Sequence, residues 1–271
     1  MVCAFGGWND AGDAASIAID ATVAAFGGSE FASIDLEPYL DLRETRPVVR
    51  LDEGEVRELV WPATTVFEVH APRAPRDLVL VTGPEPALAW RSFCRVLLDL
   101  ADSLDCSMIV TLGAFLADQP HTRPVAMAGT ASDPELAARI GLTPSRYEGP
   151  TGIAAALPAA AVADGYPSVS LWAAVPHYIA AMPNPKASLA LIRRLESLTG
   201  VIVDATALEE DAARQELQVE QAVSNDSDLR GFVEQLEEAA DDEAEGQDLP
   251  SGDSIARDLQ RFLRQQAPEE E

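Results

Sequence analysis

Apolar runs of strand length alternate with amphipathic stretches of helical length through most of the first 204 residues. Val2–Gly6 is a short apolar run closed by glycine, and residues 11–26 are Ala-rich with helical spacing, so strand, tight turn and helix are predicted in that order. Asn9 or Asp10 is placed to cap this helix, and Asp13 lies in its first turn, where a carboxylate suits the helix dipole. Residues 33–37 read as the next strand. Further on, strands are predicted at 77–82, 107–112, 125–128 and 169–175, and helices at 86–104, 134–140 and 184–198, the last opened by Asn184-Pro185. Residues 151–163 stay open between helix and turn. Alternation of this kind predicts a mainly parallel sheet covered by helices on both faces.

Two stretches depart from the alternation. Residues 47–70 are rich in β-branched and aromatic side chains and punctuated by Asp52-Glu53-Gly54 and Pro62-Ala63, which predicts antiparallel hairpins inserted into the α/β body. Beyond residue 204, apolar positions fall at helical spacing on an otherwise polar chain. Leu208, Ala212, Val219 and Val223 form one such stripe, Leu229, Phe232, Val233, Leu236 and Ala240 a second, and Ile255, Leu259, Phe262 and Leu263 a third. The division expected is an α/β core over 1–204 carrying the 47–70 insertion, a helical subdomain over 205–266 with a linker at 241–254, and a frayed end at 267–271.

Charge sharpens this division. The chain has 271 residues and a formal net charge of −26, from 45 acidic and 19 basic side chains. Residues 205–271 hold 20 of the acidic and 5 of the basic ones, so a quarter of the chain carries more than half of the excess. Binding to nucleic acid or to an anionic membrane surface is not expected, because both depend on surplus Lys and Arg. With 47% apolar residues the chain can build a core. No run is long enough to span a bilayer, no secretory leader is recognisable, and the three cysteines form no C-x-x-C pair, so a cytoplasmic protein with reduced, packed cysteines is expected.

In a parallel α/β sheet, ligands sit beyond the carboxyl ends of the strands. The polar residues after the predicted strands are therefore the candidate site: Trp8, Asn9, Asp10 and Asp13; Gly83 and Glu85; Gly113, His121 and Arg123; Thr130; and His177. Asp10 suits hydroxyl groups, Arg123 a carboxylate or phosphate, and His121 or His177 acid–base work. No dinucleotide, P-loop, nucleophile-elbow or zinc-protease spacing occurs, so neither a cofactor nor a metal is expected. Lys186, the only lysine, reads as surface charge.

Several segments together resemble the proteasome assembly chaperone family in its bacterial branch. They are Gly7-Trp8-Asn9-Asp10-Ala11-Gly12-Asp13-Ala14-Ala15, Leu112-Gly113-Ala114, His121-Thr122-Arg123-Pro124, Gly129-Thr130-Ala131, Ser145-Arg146-Tyr147-Glu148-Gly149-Pro150-Thr151-Gly152, Val175-Pro176-His177-Tyr178 and Asn184-Pro185-Lys186. The resemblance implies a three-layer α/β/α core similar to purine nucleoside phosphorylases. It further implies that the hairpin insertion serves oligomerisation, as a trimer, and that the C-terminal helices form a lid over the strand ends. Relatives that dock on the proteasome core do so with a C-terminal hydrophobic-Tyr-any tail; Glu269-Glu270-Glu271 stands here instead, so docking by that route is not expected. The resemblance transfers no catalytic residues. Three readings remain open: a homo-oligomeric assembly or scaffold factor with a protein partner, a binder or enzyme for a small polar, nucleoside-like ligand, and a structural oligomer with a degenerate site.

Overall fold

The structure is a computed structural model that describes residues 1–52, 56–141, 143–144 and 148–246. The main sheet contains β1 (Val2–Gly6), β2 (Ser29–Asp35), β5 (Ala63–Val69), β6 (Leu78–Pro84), β7 (Ile109–Ala117), β8 (Met127–Ala131), the two-residue β9 (Thr143–Pro144) and β10 (Ser168–Pro176). Their spatial order is β2-β5-β6-β1-β7-β10-β8-β9. The four central strands β6, β1, β7 and β10 are parallel to one another, and β8 and β9 also pair in parallel. The antiparallel pairings lie towards the edges, at β2–β5, β5–β6 and β8–β10. The fold is thus mixed α/β, with a mostly parallel centre.

Helices α1 (Ala14–Phe26) and α5 (Pro185–Thr199) cover one face of the sheet, and α2 (Trp90–Ser103) and α4 (Ile153–Ala163) the other. Strand alternation sorts the core between them: Val2 and Ala4 of β1 pack with α1 and α5, whereas Cys3 and Phe5 pack with α2 and α4. Burial drives the Cys3 thiol pKa up to about 12, so it behaves as a packed hydrophobe. The short α3 (Pro134–Arg139) is capped by Asp133, whose carboxylate accepts from Glu135 N, and α5 by Asn184, whose Oδ1 accepts from Ala187 N.

The stretch 151–163 resolves as helix from Ile153 onward, α4, with Pro158 in its interior. Proline has no N–H for the carbonyl of Ala154, four residues back. The buried hydroxyl of Thr111 on β7 donates to that carbonyl instead, at 2.7 Å. A polar pair inside the core therefore offsets the missing helical bond.

The edges of the sheet differ from the sequence reading. The hairpin proper is β3 (Val48–Asp52) with β4 (Val56–Val60), and it forms its own two-stranded sheet. The third strand of the 47–70 stretch, β5, pairs with β2 and β6 in the main sheet, because Thr64, Val66 and Val69 have a buried slot to fill there. Residues 86–89 are not helical. Ala87 N and Leu88 N both donate to Tyr39 O, and Ala89 turns with a φ of 51°, so α2 starts at Trp90. Strand β7 runs past Gly113 to Ala117, paired with β10 along its whole length.

The tail folds onto the body as α6 (Thr206–Asn225) and α7 (Ser227–Gly246). Leu208, Ala212, Val219 and Val223 of α6, and Val233 and Leu236 of α7, are buried, so both stripes meet apolar partners. Residues 241–246, read as the start of a linker, are the last turns of α7. The remainder of that linker, the third apolar stripe, the frayed end, and the motif residues Ser145, Arg146 and Tyr147 lie outside the described residues, as does Glu53-Gly54 of the hairpin turn.

Candidate functional site

The structure divides the sequence-derived candidates into separate groups. Asp10 is buried and spent locally: its carboxylate accepts from Ala15 N at 2.6 Å, Ser16 N at 3.2 Å and the Ser16 hydroxyl at 2.5 Å. Burial nevertheless holds its pKa above the ordinary carboxylate value, with these hydrogen bonds pulling the other way. Asp13 and Trp8 are at the surface, and 68% of Trp8 is exposed.

Asn9 and Glu85 make a second group with the start of α4. Asn9 Nδ2 donates to Glu85 Oε1, and the same oxygen accepts from Ile153 N at 2.8 Å. Asn9 O accepts from Ala114 N of β7. One asparagine thus ties together the ends of three elements, and Gly152 leaves room for it: a Cβ there would stand 2.0 Å from Asn9 Nδ2. The role of Gly152 was not evident in the sequence, because the contact comes from residues far away along the chain.

Gly83 and Gly113 are sites of close approach. A Cβ on Gly83 would lie 2.8 Å from the Ala63 carbonyl, and one on Gly113 would lie 2.6 Å from the Trp172 ring. Thr130 is at the other end of the sheet. Strand β8 is antiparallel to β10, and Thr130 pairs with Ser170 near the start of β10, so its own strand end points away from the carboxyl ends of the central strands. The sequence reading treated β8 as parallel, and strand direction is not encoded locally.

His121, Arg123 and His177 do gather, under the tail helices. Tyr178 Oη accepts from His121 N and lies 2.7 Å from His121 Nδ1. Lys186 Nζ donates to His121 O at 2.5 Å and pairs with Glu216 of α6 at 2.8 Å. Arg123 meets Asp241 of α7 through two parallel bonds, Nε–Oδ1 at 2.8 Å and Nη2–Oδ2 at 2.7 Å, and has Glu237 at 3.4 Å. Thr122 donates to Glu237. His177 Nδ1 lies 3.0 Å from Asp118 Oδ1, and the rings of His177, Tyr178 and Phe232 meet edge to face. Lys186 therefore joins the body to α6 rather than standing as free surface charge. Gln119, not a candidate from sequence, fixes the loop by donating to Ala174 O and accepting from Ala126 N.

Little space remains between the body and α6. The cavity between His121, Asn184, Lys186, Gln215 and Val219 measures about 20 Å³, enough for one water. Larger hollows, of about 510 and 670 Å³, lie between α2 and α4 and beside Tyr166. Among the described residues, no group of three or more His, Cys, Asp or Glu side chains could hold a metal ion, and no helix is long and apolar enough to cross a membrane.

His121 sets a pH dependence. Burial, aided by the Lys186 ammonium, lowers its pKa below the ordinary 6.5, against the opposing pull of Glu216, Glu220 and Glu237. The unfolded chain then takes up this proton first. The stability it contributes is complete above the unfolded value and is lost as pH falls through the folded one. Thermal melts between about pH 7 and about pH 5 should show a steeper acid loss for the wild type than for His121→Gln. Equal slopes would contradict this assignment.

Comparison with known proteins agrees with this architecture. The PAC2 family model matches residues 4–223. The chain belongs to the PAC2 family. A PAC2 family protein of Streptomyces avermitilis is 49% identical, with a TM-score of 0.80, over 86% of this chain and 98% of that one. A proteasome-assembly chaperone homologue of Mycobacterium tuberculosis is 44% identical, with a TM-score of 0.79, over 86% and 98%. An archaeal proteasome activator of Pyrococcus furiosus shares the PAC2 fold at 16% identity, with a TM-score of 0.64, over 82% and 92%. No curated protein matches the chain.

Proposed function

We propose that this PAC2 protein is a cytoplasmic homo-oligomeric assembly or scaffold factor, a trimer, that works through protein contacts. The observation that carries the reading is the β3–β4 hairpin. Val49 and Leu59 are cross-strand partners and share one face with Leu51. These three side chains are 47–66% exposed, and Trp61 just beyond them is 53% exposed. A lone two-stranded hairpin is marginal in water, and a contiguous exposed apolar face calls for a partner. A second copy of the chain supplies one. The homologue of Mycobacterium tuberculosis, described as a proteasome-assembly chaperone homologue, favours assembly work as the purpose. The cavity beneath the lid has room for one water, which favours protein contacts over a metabolite.

Light scattering on the eluting protein tests this. The wild type is expected at a multiple of 28.9 kDa, and Val49→Lys with Leu59→Lys at the single-chain mass with unchanged circular dichroism. A wild type that runs as a single chain at micromolar concentration would remove the oligomeric reading. Co-purification that returns only the protein itself would remove the assembly role.

A further inference from the structure

We propose that the surface beneath α7, centred on Arg123 and the His177–Tyr178 rings, is a docking seat for an acidic amphipathic helix of another protein. In the resting chain α7 covers this seat as a tethered stand-in. The covering helix shows what the seat recognises. Phe232 lays its ring against His177 at 5.4 Å and Tyr178 at 6.2 Å between centroids. Val233 and Leu236 are buried on the same side. One turn further on, Glu237 and Asp241, four residues apart and so on one helix face, converge on Arg123, with the Thr122 hydroxyl also on Glu237. The seat thus reads an apolar pair followed by two carboxylates at helical spacing. In a chain of net charge −26, lifting α7 would free Arg123 of its two carboxylates while Lys186 stays paired with Glu216 of α6, so the complementary partner brings negative charge to Arg123.

The tether is built for release. Asp241 is 57% exposed and Arg123 36%, so their ion pair is reached by water and is weakened by salt. Among the described side chains of α7, only Val233 and Leu236 are buried, against four of α6. One extended residue, Asp226, joins the two helices, and its side chain caps α7 by accepting from Asp228 N and Leu229 N. α7 can therefore swing as a preformed helix about Asp226 while α6 stays docked. The seat is separate from the hairpin, so peptide affinity and oligomer mass are independent readouts.

The test uses the full chain and a fluorescent peptide with the sequence of residues 226–246. In the wild type this peptide competes with its own tethered copy, which has an effective concentration in the millimolar range. Glu237→Lys with Asp241→Lys repels the lid from Arg123 at exposed positions. This variant is expected to bind the peptide at least about tenfold more tightly than the wild type, with affinity falling as salt rises. Adding Arg123→Glu to that variant re-pairs the lid with opposite polarity and should return binding to the wild-type level or below. Equal binding to the wild type and the double variant, or binding to neither, would overturn the proposal. So would a fall in oligomer mass on Glu237→Lys with Asp241→Lys, because the seat would then belong to the α7 of a neighbouring copy.

Discussion

Gly152→Ala should destabilise the protein by roughly 2–4 kcal/mol, although it adds a single methyl group. Backbone strain is not the reason, since Gly152 has a φ of −110° that any residue adopts. The reason is that the new Cβ would lie 2.0 Å from Asn9 Nδ2, 2.4 Å from Asn9 Oδ1 and 2.5 Å from Glu85 Oε1. Asn9 has nowhere to retreat: it is 1% exposed, its amide is bonded to Glu85, and its carbonyl is bonded to Ala114 N. Making room for the methyl breaks the Asn9–Glu85 bond or pushes the start of α4 off the ends of β1 and β6. Thermal or urea denaturation measures the loss. The decisive comparison is the same substitution in an Asn9→Ala background, where it should cost much less because the obstructing amide is gone. Full additivity of the two changes would show that the clash is not with Asn9.

Phe93→Ala is expected to cost about 3–5 kcal/mol, enough to lower Tm by roughly 5–10 °C. Phe93 is fully buried in the first turn of α2 and joins two parts of the chain through edge-to-face contacts, with Phe5 of β1 at 5.6 Å and Tyr39 at 5.3 Å. Tyr39 also accepts two backbone hydrogen bonds, from Ala87 N and Leu88 N, which fix the entry to α2. The cavity left by alanine would face β1 and the loop after β2 together, and neither can collapse into it without losing strand pairing. Phe93→Leu keeps most of the volume and should cost well under half as much. A loss below about 1 kcal/mol for the alanine variant would mean that this side of the core is loosely packed.

Much of the local structure was legible in the sequence because its causes are local. Asn184-Pro185 marks a helix start: the asparagine side chain accepts from Ala187 N, and proline in the first turn loses no bond. The stripes at 208–223 and 229–240 predicted two amphipathic helices; all four positions of the first are buried, and Val233 and Leu236 of the second. What stayed hidden depends on which segments meet. The run 63–69 has the same strand character as the hairpin runs before it, and only the open slot between β2 and β6 draws it into the main sheet. Arg123 was recognisable as a group for anions, but its anions are Asp241 and Glu237, more than a hundred residues away.

By itself, then, the sequence determined the alternation of strands and helices, their caps, the apolar stripes of the acidic tail and the resemblance to one protein family. These follow from side-chain periodicity and backbone preference within a few residues. Only the tertiary structure decided that β8 runs antiparallel and carries Thr130 away from the strand ends, that Asp10 is consumed by the first turn of α1, and that the tail closes over His121, Arg123 and His177. Strand direction and docking site are chosen by free energies of burial and pairing between distant segments. No short stretch of chain contains both partners of such a contact.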